Sequence, residues 1–500
     1  MSVTMPQAAI VGAGPAGLAL ACLLQAQGCR TLAIEARSEG STASRATGLR
    51  HGTLKLLEQL GVLEEILARG CPLTGMQIYR DGATAAFRAF AGSAVRPVDN
   101  LSVPQPVLEA ALEARAAELG VEILTGTELV GVSQDAAGVR LTCRGDWGTR
   151  VIEAPWAIGA DGARSAVRSL LGISYDGDFD PDCSFVLDCA LDPAPDPTVM
   201  HYFTSGTRRL AIIPLDRDGR EYKLSGSLPV VLSEDAGDAA LLAEIEAQAA
   251  ALTGARLRLR AAGPVTRYRI SRRLASAFSA GRCFLIGDAA HSCPPNGGWG
   301  LNTALADAAN LAWKLAGVIR GCLPAALLDS YGAERRAAAE AVIAFTEGQR
   351  RAAFSCHEEG DGRRNEAEHL TKIECDGDLT VAAQDALVRD GLAPGRSLWE
   401  LAARRPALAG VPAPRPGEFI LLAGSPASGT PWLQDLLARM AAAGLSARAV
   451  QAPADAEGAG CVALLRPDGI VAMIDRAPGD GLRAWIGRRT AVAAEVQGAP

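Results

Sequence analysis

The chain has 500 residues, 49% hydrophobic and 21% charged, an ordinary globular balance with material for about three domains. A net charge of −7 excludes a dedicated nucleic-acid binder, which would carry a basic face. The 12 cysteines are scattered and form no C-x-x-C, so no metal site and no disulfide framework is expected, and a reduced cytoplasmic setting is the default.

The first residues lack the charged start of a secretory signal. Ala8 to Leu24 is uncharged, but three glycines and a proline near its start argue against a membrane helix. Ala8 to Val11 instead reads as a short strand ending in Gly12-Ala13-Gly14-Pro15-Ala16-Gly17. A helix follows, ended by Gly28, and Thr31 to Ile34 forms a second strand that stops at Glu35. This β–α–β unit carries G-x-G-x-x-G at its first turn and an acid at the second strand's end. The glycines allow a tight turn and close approach of a pyrophosphate, and Glu35 can take ribose hydroxyls. A plain βαβ packing motif is the bland alternative.

Arg45 lies in a polar loop before a helix, His51 to Leu60, either as a solvated side chain or as a phosphate clamp. Gly75 to Val98 alternates weakly, like β-structure outside the nucleotide domain. Gln105 opens an amphipathic helix, Pro106 to Leu119; a strand at Glu122 to Leu124 and a hairpin from Glu128 to Cys143 come next. Trp156 to Ser165 is another strand end running into a helix, with Asp161 as either a cap or a cofactor-side acid. From Tyr175 to Arg269, short strand-like pieces separated by Asp/Pro/Gly turns suggest an inserted antiparallel sheet, with a helix at Asp238 to Leu252 inside it.

Cys283 to Ile286 is apolar and strand-like, then Gly287-Asp288 and a loop rich in proline and glycine lead into a helix from Leu301. That helix start offers unpaired N–H groups and partial positive charge. It suits an electron-rich ring edge, and Asp288 is placed to accept hydrogen bonds from a polyol. Residues 355–395 are polar and irregular. After the proline-rich 411–416, Phe419 to Leu422, a helix at Pro431 to Ala443 and a hairpin turning at Pro467-Asp468-Gly469 suggest a small α/β domain.

In this combination the chain resembles the single-component FAD-dependent aromatic hydroxylases of the p-hydroxybenzoate hydroxylase fold. The likeness is to the branch that acts on phenols and aromatic polyketides and carries a C-terminal thioredoxin-like domain. It covers residues 8–350 and is weaker beyond. The resemblance implies an α/β chain with a Rossmann-type FAD domain (1–72, 101–175 and 270–350) and an inserted antiparallel β-sheet substrate domain (73–100 and 176–269). A connector (351–410) and a thioredoxin-like domain lacking C-x-x-C (411–500) would complete it. It assigns the cofactor to Gly12, Gly14, Pro15, Ala16, Gly17, Glu35, Ala36, Arg37, Arg45, Gln105, Leu129, Asp161, Asp288, Pro295, Gly298, Gly300, Leu301 and Asn302. Ala304 stands where the family has glycine.

The implied reaction uses FAD reduced by transient NAD(P)H, with NADPH favoured. Oxygen adds to the reduced flavin, and the resulting hydroperoxide hydroxylates a phenolic or polycyclic aromatic. Baeyer–Villiger insertion or epoxidation would share this sequence pattern, whereas a halogenase would need a Trp-x-Trp-x-Ile-Pro segment that is not there. A flavoprotein with no enzymatic role is the remaining alternative. No catalytic residue stands out; Pro295, His201 and Tyr222 are candidates, and Cys293 reads as a space-filler. No metal, nucleic acid or membrane partner is expected, and the chain would be a monomer or homodimer.

Overall fold

The computed structural model describes residues 5–38, 47–90, 100–228, 237–254, 257–260, 263–295, 297–354, 411–423, 430–451, 461–476 and 482–483. Arg45, the stretch 91–99 and the connector 355–410 lie outside them.

A six-stranded sheet forms the centre of the cofactor half. Ala8–Val11 lies between Thr31–Ile34 and Trp156–Gly159, parallel to both, and Cys283–Leu285 extends the sheet beside Trp156–Gly159. All four residues of Ala8–Val11 are buried, as expected for a parallel strand covered on both faces. On one side lie the helices Pro15–Ala26, Gln105–Glu118 and Trp299–Ile319, whose alanines and leucines join the strands in one core. The hairpin expected at Glu128 to Cys143 is there, and Gly148–Ala154 adds a third strand.

The second half is a nine-stranded sheet. The short piece expected at Ser184 to Cys189 is the middle of one 18-residue strand, Tyr175–Asp192. Its Asp- and Gly-rich start resembles a turn, yet it pairs with Thr266–Ala275, and a bulge between Phe179 and Cys183 absorbs the misfit. One pair departs from the antiparallel expectation: Val199–Ser205 runs parallel to Gly75–Arg80, which the long intervening chain permits. The helix Asp238–Thr253 lays Leu241, Ile245, Ala249 and Leu252 on Phe185, Leu187, Leu210, Ile212, Tyr222 and Leu224. The register His201–Ile212–Leu224–Leu187 therefore marks the helix-covered face. Alternate residues, among them Tyr202, Arg209, Ser225 and Tyr268, point the other way.

Past residue 411, a four-stranded sheet orders Ala447–Gln451, Phe419–Ala423, Cys461–Leu465 and Val471–Arg476. The first pair is parallel and joined through the helix Pro431–Ala442; the rest is antiparallel. Phe419, Leu421 and Leu433 share a core with Trp313 and Leu323, so this module packs on the end of the helix Trp299–Ile319. Among the described residues, no helix is long and apolar enough to cross a membrane.

Candidate functional site

The three loop glycines do different work. Gly12 has φ +105°, and a Cβ there would run into the backbone of Ala160 and Asp161. Gly17 packs so closely on Gly12 that a Cβ would strike its carbonyl. Gly14 is the opposite case, since a Cβ there would meet nothing within 4 Å. The backbone is thus tight at two positions and open at the third, as close approach of a pyrophosphate needs. Gly14 also caps the helix Pro15–Ala26 without any side-chain bond, and Pro15 fills the first helical turn. The amides of that turn are left for an anion.

Glu35 shapes this loop. Its Oε2 accepts from the Ala13 amide at 2.9 Å, and its Oε1 accepts from the Arg37 amide and Nε at 3.0 and 2.8 Å. Burial works against its charge, but the hydrogen bonds from Arg37 and Ala13 outweigh it and hold the carboxyl below the usual range. Ala36 continues the loop between these two. Gln105 donates to Glu109 at 2.7 Å, at the start of the neighbouring helix. Leu129 is 5% exposed in the core, so its side chain is unavailable and only its backbone could touch a cofactor.

Asp161 follows the strand Trp156–Gly159. Ser165, not Asp161, is the cap of the next helix, accepting from the Arg168 amide. Asp161 Oδ2 accepts from the Val167 amide at 3.1 Å, while its Oδ1 is buried without a partner. Burial pushes this carboxyl up despite its bonds to Ser165 and the Val167 amide. An orphaned acceptor beside Gly12 fits a ligand hydroxyl or amide.

Gly287–Ala289 is a tight turn with Asp288 exposed at its tip. A Cβ on Gly287 would meet Ala304 Cβ at 3.1 Å and Ala16 Cβ at 3.5 Å, so two helix starts and this turn converge. The Ala304 methyl fills part of that junction. Asp307, fully buried, fixes the turn: its Oδ2 accepts from the Gly287 amide at 3.0 Å and His291 Nε2 at 2.6 Å. Its Oδ1 accepts from Arg335 Nε at 2.6 Å. Arg168 adds a second brace, donating to the carbonyls of Ala289 and Ala163 and stacking on Tyr175, whose hydroxyl donates to the Asp288 carbonyl. Asp307, His291, Arg168 and Tyr175 were not singled out from sequence; a buried Asp and Arg within otherwise apolar helices was the available signal.

The helix expected to open at Leu301 starts at Trp299, because Gly298 adopts φ +66° and serves as its cap. No side chain caps it, and Pro295, exposed at the loop's tip, accepts from the Gly298 amide. A Cβ on Gly300 would lie 3.7 Å from Cys293 Sγ, and burial pushes that thiol up to about 12, which disfavours the reactive thiolate. The side-chain amide of Asn302 is engaged within the protein. Its Oδ1 accepts from the Arg50 amide at 2.9 Å and Thr53 Oγ1 at 2.7 Å. Its Nδ2 donates to the carbonyls of Gly48 and Gly298, so the whole amide is used as a staple. Leu301 is half-buried in the same turn.

The two sheet candidates both make hydrogen bonds within the protein. Tyr222 is fully buried under the helix Asp238–Thr253 and donates to the Pro195 carbonyl at 2.6 Å. His201 Nε2 donates to the Asp196 carbonyl at 3.1 Å, and its Nδ1 accepts from Tyr79 at 3.3 Å. On the uncovered face, Tyr202 and Tyr268 lie within the field of Arg209. Burial raises both phenols, and the guanidinium only partly offsets this. Tyr268 Oη reaches Ser225 Oγ at 3.5 Å.

A family model described as FAD binding domain matches residues 5–346. A rifampicin monooxygenase from Streptomyces venezuelae is 33% identical over 352 residues, 68% of this chain and 70% of its own length. The 12-dehydrotetracycline 5-monooxygenase/anhydrotetracycline 6-monooxygenase of Streptomyces rimosus is 33% identical over 351 residues, 68% of each. The solved ternary complex of aklavinone-11 hydroxylase with FAD and aklavinone superposes with a TM-score of 0.79 at 26% identity, covering 99% of this chain and 100% of that one.

Proposed function

The chain belongs to the FAD binding domain family of flavin-dependent monooxygenases, and from this we propose how its residues hold the cofactor and choose a substrate. It is an FAD-dependent enzyme that consumes NAD(P)H and oxygen to hydroxylate a phenolic or polycyclic aromatic. The observation that carries the reading is the convergence of Ala16, Gly287 and Ala304, where two uncapped helix starts meet the turn bearing Asp288.

In this assignment the open backbone at Gly14 and the amides of the first helix hold the pyrophosphate. Glu35 faces the adenosine ribose while keeping the Gly12–Gly14 loop in shape. The orphaned Oδ1 of Asp161 and the carboxylate of Asp288 face the linker between nucleotide and ring. The amides of Trp299, Gly300 and Leu301 face the ring edge, where helix polarity favours negative charge. Bound FAD supplies two-electron reduction by NAD(P)H and activation of oxygen. Gly297, Gly298 and Pro295 line the cofactor's approach, and Asp307 with Arg168 keeps the turn fixed.

The sheet face opposite the helix Asp238–Thr253 is where the substrate binds. Arg209 with Tyr202 and Tyr268 suits a phenol or phenolate oxygen, since one cation and two neutral phenols supply donors. We also assign the module beyond residue 411 as thioredoxin-like. Its parallel pair linked through a helix, followed by an antiparallel pair, supports this. The limits 1–72, 101–175 and 270–350 for the FAD domain, and 73–100 with 176–269 for the inserted sheet, follow the same reading.

The test is the visible spectrum of the purified protein, then NADPH consumption with and without mono- and polycyclic phenols. Flavin absorbance and a large phenol-stimulated rate with oxygen uptake and a hydroxylated product are expected. A protein that takes up no added FAD would refute the cofactor assignment.

A further inference from the structure

The helix Trp299–Ile319, whose first amides face the ring edge in the assignment above, starts in an unusual electrostatic setting. Its first turn contains no acidic residue, and no side chain caps it. Helix polarity favours an anion at this end and opposes a cation. The chain nevertheless places a cation there. The Arg50 guanidinium lies 3.8 Å over the Trp299 ring, and its Nη2 donates to the Gly297 carbonyl at 2.5 Å, one residue before the Gly298 cap.

Arg50 is held in place through its backbone as well. It closes the strand Gly48–Arg50, and its amide donates to Asn302 Oδ1 at 2.9 Å. Asn302 Nδ2 donates in turn to the Gly48 carbonyl at 2.9 Å, so one side chain of the helix's first turn grips both ends of the strand. The ring under the guanidinium is itself packed: Trp299 is 7% exposed and meets Phe345 edge-on at 5.8 Å, with Val342 in the same cluster. A guanidinium stacked on a fixed ring and bonded to a loop carbonyl has little freedom to swing away.

Hydride transfer from NAD(P)H brings two electrons and one proton, so the flavin ring gains one negative charge that it lacks when oxidised. A fixed cation beside the helix start stabilises the charged state over the neutral one, and so acts on reduction of the cofactor more than on its binding. We propose that Arg50 is a positioning residue for the flavin: bonded to Gly297 and stacked on Trp299, it sets the start of the helix and supplies the positive charge that favours the reduced ring. This rests on the FAD reading above and goes beyond it, since that reading needs only the backbone amides.

The test compares the parent holoenzyme with Arg50→Lys, Arg50→Gln and Arg50→Met. The affinity for oxidised FAD is measured by dialysis, and the midpoint potential against a reference dye without oxygen. With Gln or Met, the affinity for reduced relative to oxidised FAD should fall about tenfold or more, a potential lower by about 30 mV for a two-electron couple. Lysine keeps the charge and can still donate to the Gly297 carbonyl, so Arg50→Lys should stay within about threefold of the parent. Gln and Met variants that bind FAD with the parent's potential would overturn the proposal. So would a lysine variant that falls as far as the neutral ones, since shape and not charge would then be the cause. Neutral variants that lose oxidised FAD altogether would also overturn it, because binding and not reduction would then depend on the charge. A parent that takes up no FAD would instead refute the cofactor assignment, and this proposal with it.

Discussion

Arg466→Met should loosen the C-terminal module more than any surface change could. Arg466 is fully buried and holds two carboxylates at once. Its Nη2 and Nη1 donate to Glu334 at 2.9 and 3.2 Å, and its Nε and Nη2 donate to Asp468 at 3.0 and 2.5 Å. Without it, the two buried acids share one cation, Lys314, 3.0 Å from Glu334. Breaking a buried ion pair from one side costs about 3–5 kcal/mol. Burial opposes the Glu334 charge, yet Arg466 first, then Lys314 and the Asn310 amide, outweigh it and hold its carboxyl at about 2 rather than 4.5. The wild-type contribution is fully present above pH 4.5 and fades only as pH falls through about 2. In the variant an orphaned carboxylate has a raised value and regains stability by taking a proton. The gap between the two proteins should therefore be widest at pH 7 and narrow toward pH 4.5. Urea melts of the FAD-saturated proteins at pH 7, 6 and 5 would measure it. A variant within about 1 kcal/mol of the parent at pH 7, or a gap indifferent to pH, would refute the reasoning. Arg466→Met with Asp468→Asn should recover part of the loss, because one of the two stranded charges is then gone.

Gly12→Ala should yield little folded protein, since its Cβ would meet the Ala160 backbone, whereas Gly14→Ala should melt normally and bind FAD at least tenfold more weakly. Flavin fluorescence on dialysis separates the two, and tight FAD in Gly14→Ala would end the pyrophosphate assignment. Tyr222→Phe should cost about 1 kcal/mol of stability and leave the phenol-stimulated rate alone, because its hydroxyl is spent on the Pro195 carbonyl. Tyr202→Phe should do the reverse, raising KM for the phenol with an unchanged melting temperature. Asp307→Asn leaves Arg335 buried beside a neutral partner, and should cost about 3 kcal/mol together with a visible loss of bound flavin on gel filtration.

The parts of the fold legible in the sequence are those whose local signals agree with their surroundings. The strand Ala8–Val11, the glycine turn and the strand Thr31–Ile34 need only apolar runs and positive-φ glycines, and both are visible in one dimension. The helix start at Trp299 was displaced by two residues because Gly298 acts as a left-handed cap, a role that spacing alone does not separate from a loop glycine. Asn302 shows the harder limit. Its position at a helix start suggests ligand contact, but its side-chain amide is taken up by Arg50, Thr53 and Gly48, about 250 residues away in the chain, and by Gly298, one turn back. For His201 and Tyr222 the sequence is silent on a different point. A strand's two faces alternate, and which one the helix Asp238–Thr253 covers is fixed by the register of four strands, not by the residues themselves.

The buried charges follow a geometric logic that apolar packing cannot supply. Glu334 and Arg335 are adjacent on one helix, so their side chains leave it about 100° apart. Glu334 turns toward the C-terminal hairpin and meets Arg466; Arg335 turns toward Asp307, which holds the Gly287 amide. Leucines at these positions would bury comparable area, but would tolerate small slides between the packed helices. A carboxylate that accepts at 2.6 Å from Arg335 and at 2.6 Å from His291 tolerates far less. The Gly287 amide is bonded to the same carboxylate, so the position of the turn bearing Asp288 is tied to two other elements through one side chain. A site that must keep the same cofactor contacts while NAD(P)H and substrate come and go gains from that rigidity. This accounts for charged groups in a core where alanine and leucine are otherwise the rule.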